Sequence, residues 1–295
     1  MGSGARSARS GAASRKLSLD WLGVVPFFAF LALFMVLPTL YLVVGAFQDP
    51  SGAFTTENIA GLFSPGILAA YKISIQISLA SAALGTLFGF FLAYAAVKGA
   101  LPDWVRPTLM TFSGVASNFA GVPLAFAFIA TLGPLGLLTS AIFETFDVRI
   151  YRLGFTLFSF WGLTITYLYF QIPLMILIIA PAIDGLKREW GEAAAILGAS
   201  RLQYWRMVVL PVLTPSLLGC FLLLFANAFG AIATAYALTG SSLNIVPMVL
   251  FAQIRGDVLH NPNLGYAIAF GMIVVTGLTN GFYIWLRTRA ERWQR

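Results

Sequence analysis

Charge is scarce in this chain. Asp, Glu, Lys and Arg together make up 10% of its 295 residues, against 59% hydrophobic ones. A soluble domain carries roughly 25% charged residues, so a water-covered surface over the whole chain is excluded. Cys220 is the single cysteine and lies in an apolar run, which rules out a disulfide framework. His260 is the single histidine, so no histidine-cluster metal site is available. A lone histidine in a loop reads as solvated. The lysines are Lys16, Lys72, Lys98 and Lys187, and none follows the Gly-x-x-x-x-Gly spacing of a phosphate-binding loop. No charged residue lies near the centre of a long apolar run. A charge there costs about 2.5–3.5 kcal/mol and marks proton relays or ion paths. Its absence argues against a proton-coupled secondary transporter. No acid–base or nucleophile–histidine pair lies in the apolar runs either, so no catalysis is expected.

Long apolar stretches are abundant. About 20 apolar residues cross ~30 Å of hydrocarbon as a helix, and six runs reach that length: about 22–47, 73–97, 107–132, 155–183, 212–238 and 266–286. They are continuously apolar, not alternating, which excludes a β-barrel. The expected fold is all-α, a polytopic membrane protein of six transmembrane helices. Residues 1–16 are small, polar and basic and read as a disordered cytoplasmic tail; residues 17–295 form one transmembrane domain. The first run is too long for a cleaved signal peptide.

The net charge of +7 has a topological reading that needs no nucleic acid. With the N-terminus inside, 14 of the 18 Lys and Arg fall in cytoplasmic segments. Lys72, Arg149, Arg152 and Arg255 alone remain outside. This bias places both termini in the cytoplasm. The outer connections are then about 48–72, 133–154 and 239–265. The second carries Glu144, Asp147, Arg149 and Arg152 among aromatics and suits a short interfacial helix. The third holds the turn-forming Asn261-Pro262-Asn263.

Small residues recur at four-residue spacing at Ser81, Gly85 and Gly89, and again at Gly277 and Gly281. Such faces let helix backbones approach closely where lipid supplies no hydrophobic drive. Polar residues also occur inside the spans. Thr164, Tyr167 and Gln171 share one face of the fourth. Asn118, Asn227 and Asn280 lie in the third, fifth and sixth. Each needs a partner or a wet cavity, so these positions, Asn280 apart, are either helix–helix hydrogen bonds or the lining of a solute path.

The cytoplasmic segment 184–211 is neither span nor plain loop. Asp184 and Gly185 interrupt the fourth span, and Asp184 is placed to cap a helix from about Leu186. Glu189 in the early turns suits the helix dipole. Ala193, Ala194 and Ala195 favour helix, and Gly198 suits the left-handed residue that ends it. Ser200 and Gln203 form a capping box for a second helix. Leu202, Trp205, Val208 and Val209 supply its apolar side, and Pro211 stops or kinks it. The alanine-faced first helix suits insertion into a groove on another protein. An amphipathic connector lying on lipid headgroups fits the same pattern. A side chain at position 198, as in Gly198→Asp, is expected to crowd the turn.

Glu192-Ala193-Ala194, Gly198-Ala199, Val208, Leu210-Pro211 and Pro215 resemble the EAA signature of bacterial ABC importer permeases, the binding-protein-dependent, type I or MetI-like family. The six-span layout, with this stretch between the fourth and fifth, extends the likeness over most of the chain. Length and the Asn118-x-x-Gly121-Val122-Pro123 pattern resemble the polyamine, sulfate and ferric-iron branch. The resemblance implies a multi-pass permease of the bacterial inner membrane that moves a polyamine or another small polar solute by alternating access. Its loop would be a coupling helix docked on a cytoplasmic ABC ATPase dimer. Glu192 would pair with a basic ATPase residue, Ala193 and Ala194 would permit close approach, Gly198 and Ala199 would set the turn, and Trp205 would be an aromatic anchor ahead of Pro211. The implied partners are that ATPase, a second permease (copy or paralogue), an extracytoplasmic solute-binding protein and the bilayer. ATP and Mg would sit in the ATPase, with no cofactor on this chain. A passive channel or secondary transporter with a helical cytoplasmic loop is the alternative.

Overall fold

The computed structural model describes residues 20–240, 242–255 and 262–291. The tail 1–16, His260, Asn261, Arg292 and Arg295 lie outside them. Fourteen helices occur among the described residues, with no strand beyond one isolated bridge between Gln48 and Phe54. α1 (Asp20–Leu31) and α2 (Leu37–Gly45) are joined by a π turn, Ala32–Val36. α3 (Glu57–Gly61) precedes the long α4 (Pro65–Lys98). Then come α5 (Val105–Ala116), α6 (Val122–Leu132), α7 (Leu137–Phe146) and α8 (Phe160–Asp184). The segment between the fourth and fifth spans supplies α9 (Arg188–Ile196) and α10 (Arg201–Tyr204), and a second π turn, Trp205–Val209, leads into α11 (Leu210–Gly230). α12 (Ile232–Thr239), α13 (Val246–Arg255) and α14 (Pro262–Glu291) complete the chain.

Six helices are long and apolar enough to cross a membrane: Gly23–Gly45, Pro65–Lys98, Val122–Phe146, Phe160–Asp184, Arg201–Gly230 and Pro262–Trp285. The count agrees with the sequence, but several boundaries move: the second span starts at Pro65, not about 73, and the fifth at Arg201, not about 212. The third run does not hold together over 107–132. Gly121 adopts φ +76° and Pro123 follows it, so the chain turns between α5 and α6. The Gly121 N–H, freed by that turn, donates to Thr234 Oγ1 of α12 at 2.7 Å. The fifth span ends at Gly230, well before 238, and a new helix starts at Ile232.

The core is the seam between α4 and α8. Ser81, Gly85 and Gly89 are all buried along it, and a Cβ at Gly89 would lie 2.6 Å from Met175 Cβ. The small-residue face of the second span is therefore a packing face for the fourth. The pair Gly277 and Gly281 behaves differently: nothing lies within 4 Å of where their Cβ atoms would be. Leu213, Leu224, Phe225 and Phe229 of α11 close the same core. The first span is almost unburied within the chain and touches the rest mainly through α2 against α14. There Gly45 lets Tyr266 pack onto the backbone, its ring 2.5 Å from a would-be Cβ.

Candidate coupling loop and intramembrane polar sites

The segment between the fourth and fifth spans folds as two short helices at a fixed turn. Gly198 has φ +74°, a conformation that costs an L-residue roughly 1–2 kcal/mol. The Ala199 N–H reaches back to the Ala194 carbonyl at 2.9 Å and the Gly198 N–H to that of Ala195 at 3.0 Å, a glycine-ended helix. The capping box then forms in full: the Gln203 N–H donates to Ser200 Oγ, and the Ser200 N–H donates to Gln203 Oε1 at 2.7 Å. The crowding expected at Gly198 does not occur, since no atom lies within 4 Å of its would-be Cβ. The glycine is required by φ alone.

Asp184 does not cap α9. It is the last residue of α8, Lys187 occupies the cap position without a side-chain bond, and the Asp184 carboxylate instead pairs with Arg106 at 2.6 Å. Lys98, the last residue of α4, donates from Nζ to the Leu186 carbonyl at 2.9 Å. Leu186 itself is buried in the main core. The exit of the loop is held to the same helix, because the Trp205 ring packs tilted against Tyr94 at 4.7 Å and edge-to-face against Phe90 at 6.3 Å. Trp205 is thus an inward anchor on α4. Leu202, placed by its spacing on that apolar side, is exposed instead, as is Met207.

Pro211 does not stop the helix on its way into the fifth span, which runs unbroken over Arg201–Gly230. A proline lacks an N–H and clashes with the carbonyl four residues back. The π turn Trp205–Val209 widens the helix just ahead of it, with the Leu210 N–H bonded to the Trp205 carbonyl. Pro38 is preceded by a π turn in the same way.

No residue of α9 is buried. Glu192 accepts from Arg188 Nε at 3.0 Å, and both side chains are largely exposed. Ala193 is exposed, Ala194 and Ala199 partly so, and Ile196 and Leu197 stand 86% and 85% exposed at the tip. The loop therefore pairs an inner face locked to α4 with an outer face of alanines and uncovered aliphatics.

The polar span residues separate into two sets. Thr164, Tyr167 and Gln171 are buried at 0–1% exposure, and Tyr167 and Gln171 tie helices together. Thr164 Oγ1 donates to the Phe160 carbonyl at 2.8 Å. Tyr167 donates to the Ala231 carbonyl at 2.6 Å, satisfying backbone where α11 breaks into α12. Gln171 Nε2 donates at 3.2 Å both to Ser81 Oγ and to the Leu224 carbonyl, while its Oε1 has no partner. The void beside Tyr167 is only about 10 Å³, room for one water at most. All three positions are packed inside this chain. Asn118 and Asn227 are exposed on its outside; Asn118 Nδ2 bonds only locally, to the Gly114 carbonyl at 2.9 Å and to Ser117 Oγ. Asn280 is exposed too.

Two outcomes follow from this geometry. Gln171→Leu removes the unsatisfied Oε1 but also the two bonds that Nε2 donates to Ser81 and Leu224, so thermal stability should fall by about 1–3 kcal/mol while transport by the folded protein persists. Loss of transport at unchanged stability would instead return Gln171 to the solute path. Lys98→Met keeps the stem but loses the bond to Leu186, and should lower coupled uptake severalfold with ATPase association intact.

A family model described as "binding-protein-dependent transport system inner membrane component" matches residues 85–292, well over half of the chain. The spermidine/putrescine transport system permease protein PotB of Escherichia coli K12 is 26% identical over 270 residues, covering 86% of this chain and 93% of that protein. The sulfate transport system permease protein CysT of Salmonella typhimurium is 24% identical over 197 residues, 65% and 67% of the two chains. Among solved structures, a bacterial ABC transporter involved in import of the acidic polysaccharide alginate superimposes with a TM-score of 0.72 at 16% identity, over 92% of this chain and 95% of that one. The last likeness concerns the fold. The chain thus belongs to the inner-membrane components of binding-protein-dependent transport systems, the multi-pass permease subunits of ABC importers.

Proposed function

We propose that the segment from Gly185 to Val209 is the element through which a separate cytoplasmic ATPase drives this permease. The observation that carries it is the two-faced loop: α9 has no buried residue, while Lys98, Trp205 and Leu186 bind the loop to α4 and the core. A groove on a partner would cover Ala193, Ala194, Ile196 and Leu197. The Arg188–Glu192 pair does not oppose this. Exposed i,i+4 pairs are worth only about 0.3–0.5 kcal/mol, so Glu192 can exchange Arg188 for a basic partner residue at little cost. ATP and Mg²⁺ then belong to the ATPase, and this chain hydrolyses nothing.

With both termini in the cytoplasm, as the Lys and Arg distribution favours, the loop faces the nucleotide. One loop per chain and two ATPases require a second permease, a copy or a paralogue. Asn118 and Asn227 face out of this chain, where a shared solute path between two permeases would use them. Relatives named for sulfate and for spermidine carry solutes of opposite charge, so likeness leaves the sign of the charge open. The described spans offer no charge near their centres, which suits a small polar solute delivered by an extracytoplasmic binding protein.

Uptake by proteoliposomes holding the permease pair, the ATPase and the binding protein tests this reading. Glu192→Lys should cut ATP-driven uptake about tenfold or more, because a like charge then faces the basic partner. Unchanged uptake with Glu192→Lys would remove Glu192 from the coupling contact.

A further inference from the structure

The connection from the third span to the fourth encloses a cavity of about 380 Å³ between α7 and the 3₁₀ turn Ile150–Leu153. Arg149 and Arg152 both line it. They are two of only four basic residues that the charge distribution leaves outside, and among the described residues neither is within ion-pair distance of a carboxylate. Glu144 and Asp147 lie nearby in sequence but do not line the cavity. Arg149 is held in place by the Phe143 ring, with its guanidinium carbon 4.7 Å from the centroid.

The cavity also has an inner polar group. Thr139 is 9% exposed and lines the wall, and its buried Oγ1 has no hydrogen-bond partner. An unsatisfied buried hydroxyl costs about 1–3 kcal/mol; Oγ1 is shielded from the cavity in this rotamer, and a χ1 rotation toward the wall would let it meet an acceptor there. Tyr151 fixes the opposite wall by donating to the Leu132 carbonyl at 2.8 Å. Partial burial pushes its phenol above the ordinary value, so it remains a donor at neutral pH.

The rim identifies the occupant. Leu135, Leu137, Phe146 and Leu153 are all highly exposed, Leu135 at 94%. Leu135 lines the cavity beside the two unpaired guanidinium groups, and the other three lie within or just after the membrane-crossing segment Val122–Phe146. Apolar side chains uncovered at that depth meet acyl chains, and the arginines beside them sit at the level of the headgroups. A free inorganic anion would have no use for the apolar rim. We infer that this cavity holds the phosphate of a membrane phospholipid, gripped by Arg149, Arg152 and the Thr139 hydroxyl, with the acyl chains lying over the leucines. The lipid then braces the α7 connection against the membrane. This site is separate from the coupling loop and does not depend on it.

Native mass spectrometry of the full-length protein, adding one lipid at a time, tests the site. Differences between wild type and variant cancel lipid bound elsewhere on the protein. Dioleoylphosphatidylglycerol should bind at least about tenfold more weakly to Arg149→Gln/Arg152→Gln, two surface charges each worth about a factor of five. Arg149→Lys/Arg152→Lys should retain most of the affinity, and Thr139→Val should lose severalfold. Dioleoylglycerol, which lacks the phosphate, should show no difference between wild type and the double variant. Equal phosphatidylglycerol binding by wild type and the Gln variant would overturn the proposal. So would inorganic phosphate binding that the Gln substitutions abolish while lipid binding stays unchanged, since the cavity would then be a free-anion site.

Discussion

Gly198→Val is expected to reduce ATP-driven uptake about tenfold or more while the protein still inserts and packs normally. The reason is backbone conformation. At φ +74° any L-residue costs roughly 1–2 kcal/mol, and a β-branched one is worse. Relieving that strain would swing α9 away from α10 and break the bonds from Gly198 and Ala199 to the end of α9. Uptake should fall because the docking face loses its orientation, not because α9 is lost. Since the space around the would-be Cβ is open, the substitutions should rank by tolerance of positive φ. Gly198→Asn should be mild, Gly198→Asp intermediate and Gly198→Val severe, measured as uptake at equal membrane levels. Equal damage from Asn and Val would mean that a docked partner crowds the turn.

Gly89→Leu should damage the fold itself. The new Cβ would meet Met175 Cβ at 2.6 Å, Met175 Cγ at 2.7 Å and the Ile172 carbonyl at 3.0 Å. A methionine tip can move, but Met175 Cβ and the Ile172 backbone cannot unless α4 and α8 separate. Overpacking of this kind typically costs about 1–3 kcal/mol, and here it falls on the largest seam in the chain. Yield and thermal midpoint in detergent should both drop sharply. Gly277→Leu is the matched control: no atom lies within 4 Å of its would-be Cβ, so within this chain it should be tolerated. If Gly277→Leu fails only in the assembled transporter, that face packs on another subunit.

What could be read from the sequence was whatever four or five neighbouring residues determine. The Ser200–Gln203 capping box and the left-handed Gly198 are closed by bonds within such a window, so their side chains alone specify them. Asp184 shows the limit. Its local setting suits a helix cap, yet Arg106, 78 residues away, captures the carboxylate. Trp205 was legible as an aromatic anchor, but not what it anchors to, because Tyr94 and Phe90 lie on another helix. Pro211 carries a strong local signal to stop a helix, but a π turn absorbs the clash without a break. The stripe Thr164–Tyr167–Gln171 was correctly placed on one face, but periodicity cannot say what that face meets. The structure sets it against Ser81, Leu224 and Ala231. The third span was drawn too early because apolarity runs through Gly121, while the turn there depends on Thr234, which is distant in sequence.

The account rests on α9 as the contact through which the ATPase moves α4, α8 and α11. A photoreactive amino acid at Ala193, in membranes containing the assembled transporter, tests that contact most directly. The account predicts an ATPase adduct from position 193 whose yield changes when ATP is added, and little from Met207, which is exposed on the π turn beyond α9. Adducts to lipid alone from position 193, with ATPase and permease co-purifying, would contradict it and make the loop a headgroup-bound connector.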